Sequence, residues 1–310
     1  MISALMMGIL GCAPRYTTAP PLDPAELWTP LPVQYVEAAD TRVAYVDSGG
    51  SGRPLILVHG LSSYMGFWEY QIPAFAQDYR VIALDLPGYG ASDRPDAPYT
   101  PPWFAEVLVD FMDELELDSA TLVGHSMGGQ IALTMALDHP SRVDALVLSA
   151  PAGIETFNPG HAAWMKQYWT ETRALGTPEE NVRTNFTHMV FNHYDEGVER
   201  LIEERVRMGK HPSFEGTAVA VSRSVAGMVD YPVHDRLGEI QTPTLIVFGT
   251  LDRMIPNPIF NGGRTRTVAE HGRDAMPNAE LLMVRGAGHT VHHDAPETFN
   301  SAVRSFLEQQ

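Results

Sequence analysis

A serine set between glycines is the first residue of this sequence that could do chemistry. Residues 124–128 read GHSMG, after the apolar run ATLV and before a run with helical spacing. This is the G-x-S-x-G pattern, in which a sharp strand-to-helix turn lifts the serine hydroxyl above a sheet. The backbone at such a turn is strained, and the flanking glycines leave room for it. The pattern predicts Ser126 as a nucleophile.

A serine hydroxyl is a weak nucleophile and needs a general base. His289 is the candidate base, at the end of an apolar run in RGAGHTVHHDAPETF at 285–299. Asp252 follows the preceding apolar run, in FGTLDRMIP at 248–256, and is the candidate that orients the histidine through its other ring nitrogen. The chain order serine, aspartate, histidine is one of three orders that serine hydrolases use.

Acyl transfer at a serine also needs N–H groups that stabilise the oxyanion. The backbone N–H of Met127 is one candidate, because it directly follows the nucleophile. The loop VHGLSSYMGFW at 58–68 follows an earlier apolar run, and the backbone N–H of Leu61 is the second candidate. His59 and Gly60 are predicted to turn the chain there. One such donor contributes ~2.7–4 kcal/mol of transition-state stabilisation.

These residues are far apart in the chain and need a scaffold that brings them to one edge. Short runs of β-branched residues and leucine recur, as is typical of strands buried on both faces of a parallel sheet. Helical stretches lie between most of them, so the sequence predicts a mostly parallel, doubly wound α/β sheet. The runs lie at 54–60, 80–88, 120–126, 145–151, 244–252 and 280–289, after an opening hairpin at 33–39 and 42–49.

The stretch 153–235 interrupts this alternation. It shows helical periodicity at 161–175, 179–194, 197–209 and 217–229 without a convincing buried strand. Since loops longer than ~15 residues usually carry structure or function of their own, we predict a helical cap inserted between two core segments, 33–152 and 236–310. Large apolar side chains of the cap form its own core, or some of them line an apolar pocket. They are Trp164, Met165, Trp169, Phe186, Met189 and Phe191.

Composition and charge exclude several protein classes. The 310 residues are 44% hydrophobic and 19% charged, as in globular proteins. The 38 acidic and 21 basic residues give a net charge of -17, with no basic cluster, so a nucleic-acid partner is not expected. The single cysteine, Cys12, rules out an intramolecular disulfide.

That cysteine closes the N-terminal apolar run MISALMMGILGC at 1–12. The run resembles a bacterial lipoprotein signal, in which the cysteine is lipidated, although no basic residue precedes it. The resemblance implies a Pro-rich linker at 13–32 and a lipid anchor on Cys12 that holds the protein in the cell envelope. The residue after the cysteine is Ala13, which resembles sorting to the outer membrane where there are two membranes. The alternative is a frayed apolar N-terminus on a cytoplasmic protein.

Three histidines and an aspartate crowd the segment 289–294 and could suggest a metal site. We predict no metal there, because DAPE at 294–297 has the spacing of a helix start with a capping box. The apolar face of that helix would consist of Phe299, Val303, Phe306 and Leu307. Asp85 and Asp93, in DLPGYGASD, are predicted to fix turns and loops.

From residue 33 to 308 the chain resembles the α/β-hydrolase superfamily, in particular its capped esterase- and lipase-like members. The resemblance rests on HGLSSYMGFW, DLPGYGASDRP, GHSMGG, GTLDRMIP and GAGHTVHHDAPE. It implies a serine hydrolase that cleaves carboxylic esters through an acyl-enzyme, without a cofactor. Its triad would be Ser126, His289 and Asp252, and its substrate a small ester with an apolar acyl group.

Two alternatives stay open at this point. Carbon–carbon bond hydrolases of vinylogous keto acids are near relatives, but they tend to have asparagine before the nucleophile and tryptophan after the catalytic histidine. This sequence has His125 and Thr290 there. A non-catalytic binding protein on the same fold is the other alternative, because a fold alone does not establish function. The complete triad argues against it.

Overall fold

A computed structural model describes residues 15–310, and an eight-stranded sheet runs through this part of the chain. Its order is β1-β2-β4-β3-β5-β6-β7-β8, with β1 and β2 antiparallel to their neighbours and all other pairs parallel. The predicted opening hairpin and the predicted fold class are both confirmed. The strands are β1 (Gln34–Ala38), β2 (Thr41–Asp47), β3 (Pro54–Val58), β4 (Arg80–Leu84), β5 (Ala120–His125), β6 (Val143–Ser149), β7 (Thr244–Gly249) and β8 (Ala279–Val284).

Helices cover both faces of the sheet and fill the interval between β6 and β7. They are α1 (Gln71–Phe75), α2 (Pro101–Glu114), α3 (Met127–Asp138), α4 (Pro159–Tyr168), α5 (Glu171–Leu175), α6 (Glu179–Asn185), α7 (Glu196–Met208), α8 (Phe214–Asp230), α9 (Thr265–Ala275), α10 (Val291–Asp294) and α11 (Pro296–Leu307). A π-helical turn at Phe186–Val190 extends α6.

The central strands are buried on both faces because their apolar side chains alternate between two cores. In β3, Ile56 and Val58 belong to one core, whereas Leu55 and Leu57 belong to the other. Continuous apolar runs in the sequence reflect this double burial. The four apolar residues predicted for the last helix, α11, are all buried in the second core.

The cap consists of α4–α8, and its apolar core, the cap cluster, extends into the loop after β3. Phe186, Phe191 and residues of α7 pack there with Tyr64 and Phe67 of that loop. The helix predicted at 161–175 is in fact two helices, because the Thr170 side chain accepts the N–H of Arg173 and starts α5. Trp164 and Trp169 are not in the cap core, since they remain 39% and 36% exposed.

The segment before the sheet packs against the cap. Leu22 and Leu27 are buried in the cap cluster, so residues 15–31, which the sequence suggests as a linker, are ordered along the cap. Cys12 lies outside the described residues. No helix within 15–310 is long and apolar enough to cross a membrane.

Candidate active site

Ser126 stands on the turn between β5 and α3 in a left-handed backbone conformation. Its φ is 52° and its ψ is -114°, which costs ~1–3 kcal/mol for a residue other than glycine. The surrounding backbone fixes this turn, because the Ser126 N–H donates to the Ser149 carbonyl at 3.0 Å. The turn also needs its glycines. A Cβ on Gly128 would lie 2.2 Å from the Val58 carbonyl oxygen, and one on Gly124 would lie 2.5 Å from that of Gly128.

His289 and Asp252 form a buried pair at the ends of β8 and β7. The Nδ1 atom of His289 lies 3.0 Å from one carboxylate oxygen of Asp252, and the two side chains are 5% and 0% exposed. The other oxygen accepts the N–H groups of Met254 at 2.8 Å and Ile255 at 3.1 Å. Because Nδ1 faces the carboxylate, Nε2 is left for proton transfer.

A cavity of about 1010 Å³ lies between the sheet and the cap. Ser126, His289 and Leu61 all line it, so the structure brings the predicted nucleophile, base and oxyanion loop to one space. Asp252 lies behind His289 and does not line this cavity. The predicted nucleophile and base therefore both face a cavity that is large enough for a small substrate.

The predicted oxyanion loop is pressed against the serine. A Cβ on Gly60 would lie 3.2 Å from the Cβ of Ser126, so the next residue, Leu61, is close to the nucleophile. His59 fixes this loop, because its Nδ1 lies 2.8 Å from the Gly60 carbonyl and its Nε2 accepts the N–H of Leu86 at 3.0 Å. Burial lowers the pKa of His59 to about 4, so the ring is neutral near pH 7.

Met127 is the first residue of α3, and the first N–H groups of a helix have no acceptor within it. The positive end of the helix dipole also favours an anion there. The position of Met127 is thus suited to the predicted oxyanion role.

Asp85 connects the oxyanion loop to the turn after β4. Its buried carboxylate accepts the N–H groups of Met65 at 2.6 Å and Ala91 at 2.7 Å. Burial outweighs these hydrogen bonds and raises the pKa of Asp85 to about 6. Asp93 is partly exposed and pairs with Arg42 at 3.2 Å. The Asp85 side chain therefore fixes a loop, as the sequence predicts, whereas the Asp93 side chain makes only this surface ion pair among the residues that the structure describes.

The histidines after His289 have separate partners. His292 stacks on Trp68 at 4.1 Å, and the Nε2 of His293 lies 3.0 Å from a carboxylate oxygen of Glu69. In the part of the chain that the structure describes, no group of three or more His, Cys, Asp or Glu residues is placed to hold a metal.

The predicted capping role of Asp294 is wrong, because Asp294 ends α10 and the residue before α11 is Ala295. The Asp294 carboxylate instead accepts backbone N–H groups of Gly288 at 2.6 Å, His193 at 2.8 Å and Asn192 at 2.9 Å. It therefore ties the cap to the loop that carries His289. The alanine before Pro296 starts the helix without a side-chain cap.

The cap contributes some, but not all, of its predicted apolar residues to the cavity. Met165, Trp169, Phe186 and Met189 line it, whereas Trp164 and Phe191 are not among its lining residues. Trp164 stacks on Tyr168 at 4.6 Å instead.

Arg205 is a cavity residue that sequence reasoning missed. Arg205 lines the cavity, and its guanidinium carbon lies 4.4 Å from the centroid of the Phe214 ring. Among residues 15–310 no carboxylate pairs with it, whereas its neighbours Arg200 and Arg207 pair with glutamates at 2.8 Å. Burial lowers the pKa of Arg205 to about 10, so it remains a cation near pH 7. Nothing in the charged sequence of α7 distinguishes this arginine from its neighbours.

Comparison with known proteins agrees with this geometry. The family model for the α/β hydrolase fold matches residues 53–296. The 2-hydroxymuconate semialdehyde hydrolase of Pseudomonas sp. strain CF600 is 32% identical over 88% of this chain and 92% of its own length.

Two solved structures extend the comparison. A probable hydrolytic enzyme from Pseudomonas aeruginosa PAO1 is 26% identical, with a TM-score of 0.86 over 93% of this chain and 99% of that one. An esterase from Exiguobacterium antarcticum is 25% identical, with a TM-score of 0.74 over 89% of this chain and 99% of that one. The chain belongs to the α/β-hydrolase fold family and is a serine hydrolase.

Proposed function

We propose that this serine hydrolase cleaves carboxylic esters whose acyl group is held beneath the cap. The observation that carries the proposal is the His289–Asp252 pair at 3.0 Å beside a strained serine, on the wall of a large cavity. The likeness to an esterase at 25% identity supports the same chemistry.

The geometry supports an acyl-enzyme mechanism. The Ser126 oxygen attacks the ester carbonyl carbon while its proton passes to Nε2 of His289. The N–H groups of Leu61 and Met127 stabilise the oxyanion. When the intermediate collapses, the alkoxide leaves with the proton from His289. Water, deprotonated by His289, then attacks the acyl-enzyme and releases the acid and the serine.

A panel of p-nitrophenyl esters from acetyl to palmitoyl tests the reaction and the acyl preference. We expect turnover of at least one ester, and covalent labelling of Ser126 alone by a fluorophosphonate. The Ser126→Ala variant is the control for both measurements. Labelling of another residue, or no turnover across the panel, would contradict the proposal.

Arg205 favours a second candidate, the hydrolysis of a carbon–carbon bond in a vinylogous keto acid. Such a substrate carries a carboxylate, and a half-buried cation that lines the cavity without a carboxylate partner in the described part of the chain is suited to bind it. The similarity to a 2-hydroxymuconate semialdehyde hydrolase supports this candidate. The residues beside the triad, His125 and Thr290, favour the ester reaction.

Paired substrates distinguish the two reactions and test Arg205. We expect p-nitrophenyl esters to be cleaved faster than 2-hydroxy-6-oxohexa-2,4-dienoate, and the reverse order would favour the second candidate. With an ester whose acyl group ends in a carboxylate, Arg205→Met should raise KM by ~10-fold, which is about 1.4 kcal/mol. A neutral ester of equal length should be unaffected. Arg266→Met is the control, because Arg266 lies exposed on α9.

A further inference from the structure

The described chain begins on the cap, beside α6. The Glu179 carboxylate accepts the N–H groups of Arg15 at 2.7 Å and Tyr16 at 2.9 Å, and the hydroxyl of Thr17 at 2.7 Å. The Tyr16 hydroxyl donates to Glu199 at 2.6 Å. One buried carboxylate therefore fixes three successive residues of the N-terminal segment.

Further contacts hold the rest of this segment, residues 15–31, which we call the strap. The Lys210 ammonium donates to the carbonyls of Thr17 at 2.9 Å and Ala19 at 2.8 Å. Leu22 and Leu27 are buried among the apolar side chains of α7. The strap is thus a folded part of the cap, and it cannot act as a long flexible tether.

The strap begins beside a wall of the cavity. Glu179 directly follows residues 176–178, which line the cavity. Two residues, Ala13 and Pro14, separate Cys12 from Arg15, so Cys12 and Arg15 are at most ~10 Å apart along the chain. A lipid on Cys12, as the sequence suggests, would therefore hold Arg15, and with it this side of the cap, close to a bilayer surface.

Four exposed apolar side chains of the cap and of the segment before α9 line the cavity or lie close to its lining residues, and we call them the rim patch. They are Trp164 at 39%, Trp169 at 36%, Leu175 at 44% and Ile259 at 68% exposure. Trp169 itself lines the cavity, Leu175 precedes the lining residues 176–178, and Trp164 lies 5.1 Å from Phe260, the residue after Ile259. Contiguous exposed apolar residues mark interaction sites, and tryptophan is favoured at the membrane–water interface.

We propose that the rim patch docks on a zwitterionic phospholipid surface, with the cavity mouth facing the lipid. The start of the strap beside the cavity wall points to a membrane on this side, and the net charge of -17 disfavours an anionic surface. The inference rests on the proposed function, because an apolar ester could then pass from the lipid into the cavity without crossing water.

Vesicle flotation of the full chain tests the docking without the lipid anchor. The parent is Cys12→Ser, and the vesicles are phosphatidylcholine. The patch variant adds Trp164→Ser, Leu175→Ser and Ile259→Ser, none of which lines the cavity. The control adds Tyr35→Ser, an aromatic residue that is 41% exposed on β1, outside the cap.

We expect the parent and the control to float with the vesicles, and the patch variant to partition ~10-fold less. Replacing a third of the lipid with phosphatidylglycerol should reduce flotation of the parent. A parent that does not float, or a patch variant that floats like the parent, would overturn the docking proposal.

Activity on two substrates separates this proposal from the ester reaction. The patch variant should hydrolyse water-soluble p-nitrophenyl acetate like the parent, but lose ~10-fold in kcat/KM on a long-chain ester embedded in the vesicles. Equal loss on both substrates would contradict docking. If the parent, the patch variant and the control all fail to hydrolyse either ester, the proposed function fails. Flotation would still test whether the rim patch binds the vesicles.

Discussion

Different kinds of interaction hold the sheet edge and the cap in place. At the sheet edge, backbone groups fix the reactive residues, since the Ser126 N–H bonds to a β6 carbonyl and two N–H groups hold Asp252. Between the cap and the loop after β3, side-chain pairs contribute as well. Arg200 pairs with Glu69 at 2.8 Å, and the Tyr64 hydroxyl donates to Glu204.

We infer from this difference that the sheet edge determines the rate of the reaction and that the cap determines which substrates are preferred. A backbone-defined edge tolerates changes in nearby side chains, because the strands themselves position the triad. We expect the cap to depend more on single residues, because one substitution can remove a side-chain pair that joins it to the core. Substitutions at the edge should therefore alter kcat for every substrate, whereas substitutions in the cap should alter the ranking of substrates.

The largest effect should come from the nucleophile. Ser126→Ala should lower kcat by ~10⁴-fold or more, because only the oxyanion site and binding remain. Steady-state ester assays measure the loss in kcat. Thermal unfolding should give a midpoint close to that of the wild type, which would show that the fold is intact. A Ser126→Ala variant with full activity would show that another residue is the nucleophile.

Asp252→Asn should be nearly as damaging. The amide would favour the wrong tautomer of His289, and the expected loss in kcat is ~10⁴-fold. KM should change little, because the side chain does not line the cavity. Wild-type kcat in this variant would show that another carboxylate orients the histidine.

Asp85→Asn should cost less, because it acts on the edge only through the oxyanion loop. An amide cannot accept both N–H groups that the carboxylate accepts, so the Leu61 N–H should shift and kcat should fall by ~10²-fold. Asp93→Asn is the matched control, since that residue is half exposed and pairs only with Arg42 at the surface. Equal effects of the two substitutions would exclude a specific role for Asp85.

The pKa of Asp85 adds a pH test. Because this pKa is raised to about 6 in the folded state, the carboxylate loses its charge as pH falls below about 6. The folded protein then binds a proton that the unfolded chain binds only near 3.8, so protonation of Asp85 favours the fold. Activity should decline below pH 6 without unfolding caused by Asp85, and Asp85→Asn should lack this part of the profile.

A smaller effect should follow from Met189→Ala in the cap. Met189 lines the cavity, and its removal should shift the preferred acyl length by an amount worth ~1–3 kcal/mol between neighbouring substrates. Tyr35→Ala is the control, because Tyr35 is exposed on β1 and is not among the residues that line the cavity. An equal shift in the Tyr35 variant would contradict a role of Met189 in holding the acyl group.

The smallest effect should come from Glu179→Gln in the strap. Burial would raise the pKa of Glu179, but hydrogen bonds from Thr17, Arg15 and Tyr16 lower it below 4.5. A lowered folded pKa means that the stabilisation is present above pH 4.5 and is lost as pH falls through the folded value. The protection of the backbone N–H groups of residues 15–17 from hydrogen exchange, relative to the intrinsic rate at each pH, should fall below pH 4.5 in the wild type. The Gln variant should show this loss of protection already at pH 7. Unchanged exchange would contradict the role of Glu179.

The sequence predicts the sheet edge well because each predicted reactive residue lies within five residues of the end of a parallel strand. Ser126, Asp252 and His289 can be placed from apolar runs alone, since parallel strands end at one edge. The cap resists such prediction. Helical periodicity locates its helices, but it does not reveal which charge stays unpaired, so Arg205 could not be found.

Long-range side-chain contacts account for the remaining differences. Asp294 follows the expected spacing for a helix start, yet its carboxylate bonds to backbone of the cap, about a hundred positions earlier in the chain. No local pattern encodes this partner. The packing of the strap on the cap could not be predicted either. Prolines and polar residues are typical of linkers, and the sequence does not indicate that Glu179 binds residues 15–17.

The strap has a consequence for protein engineering. A chimaera that transfers only residues 153–235 into a related scaffold would separate Glu179 and Lys210 from their partners and expose the apolar side chains that Leu22 and Leu27 cover. A transferable unit has to include residues 15–31, although they lie more than a hundred positions away in the gene product. Moving this cap into a related scaffold therefore requires an exchange that carries two separate segments together.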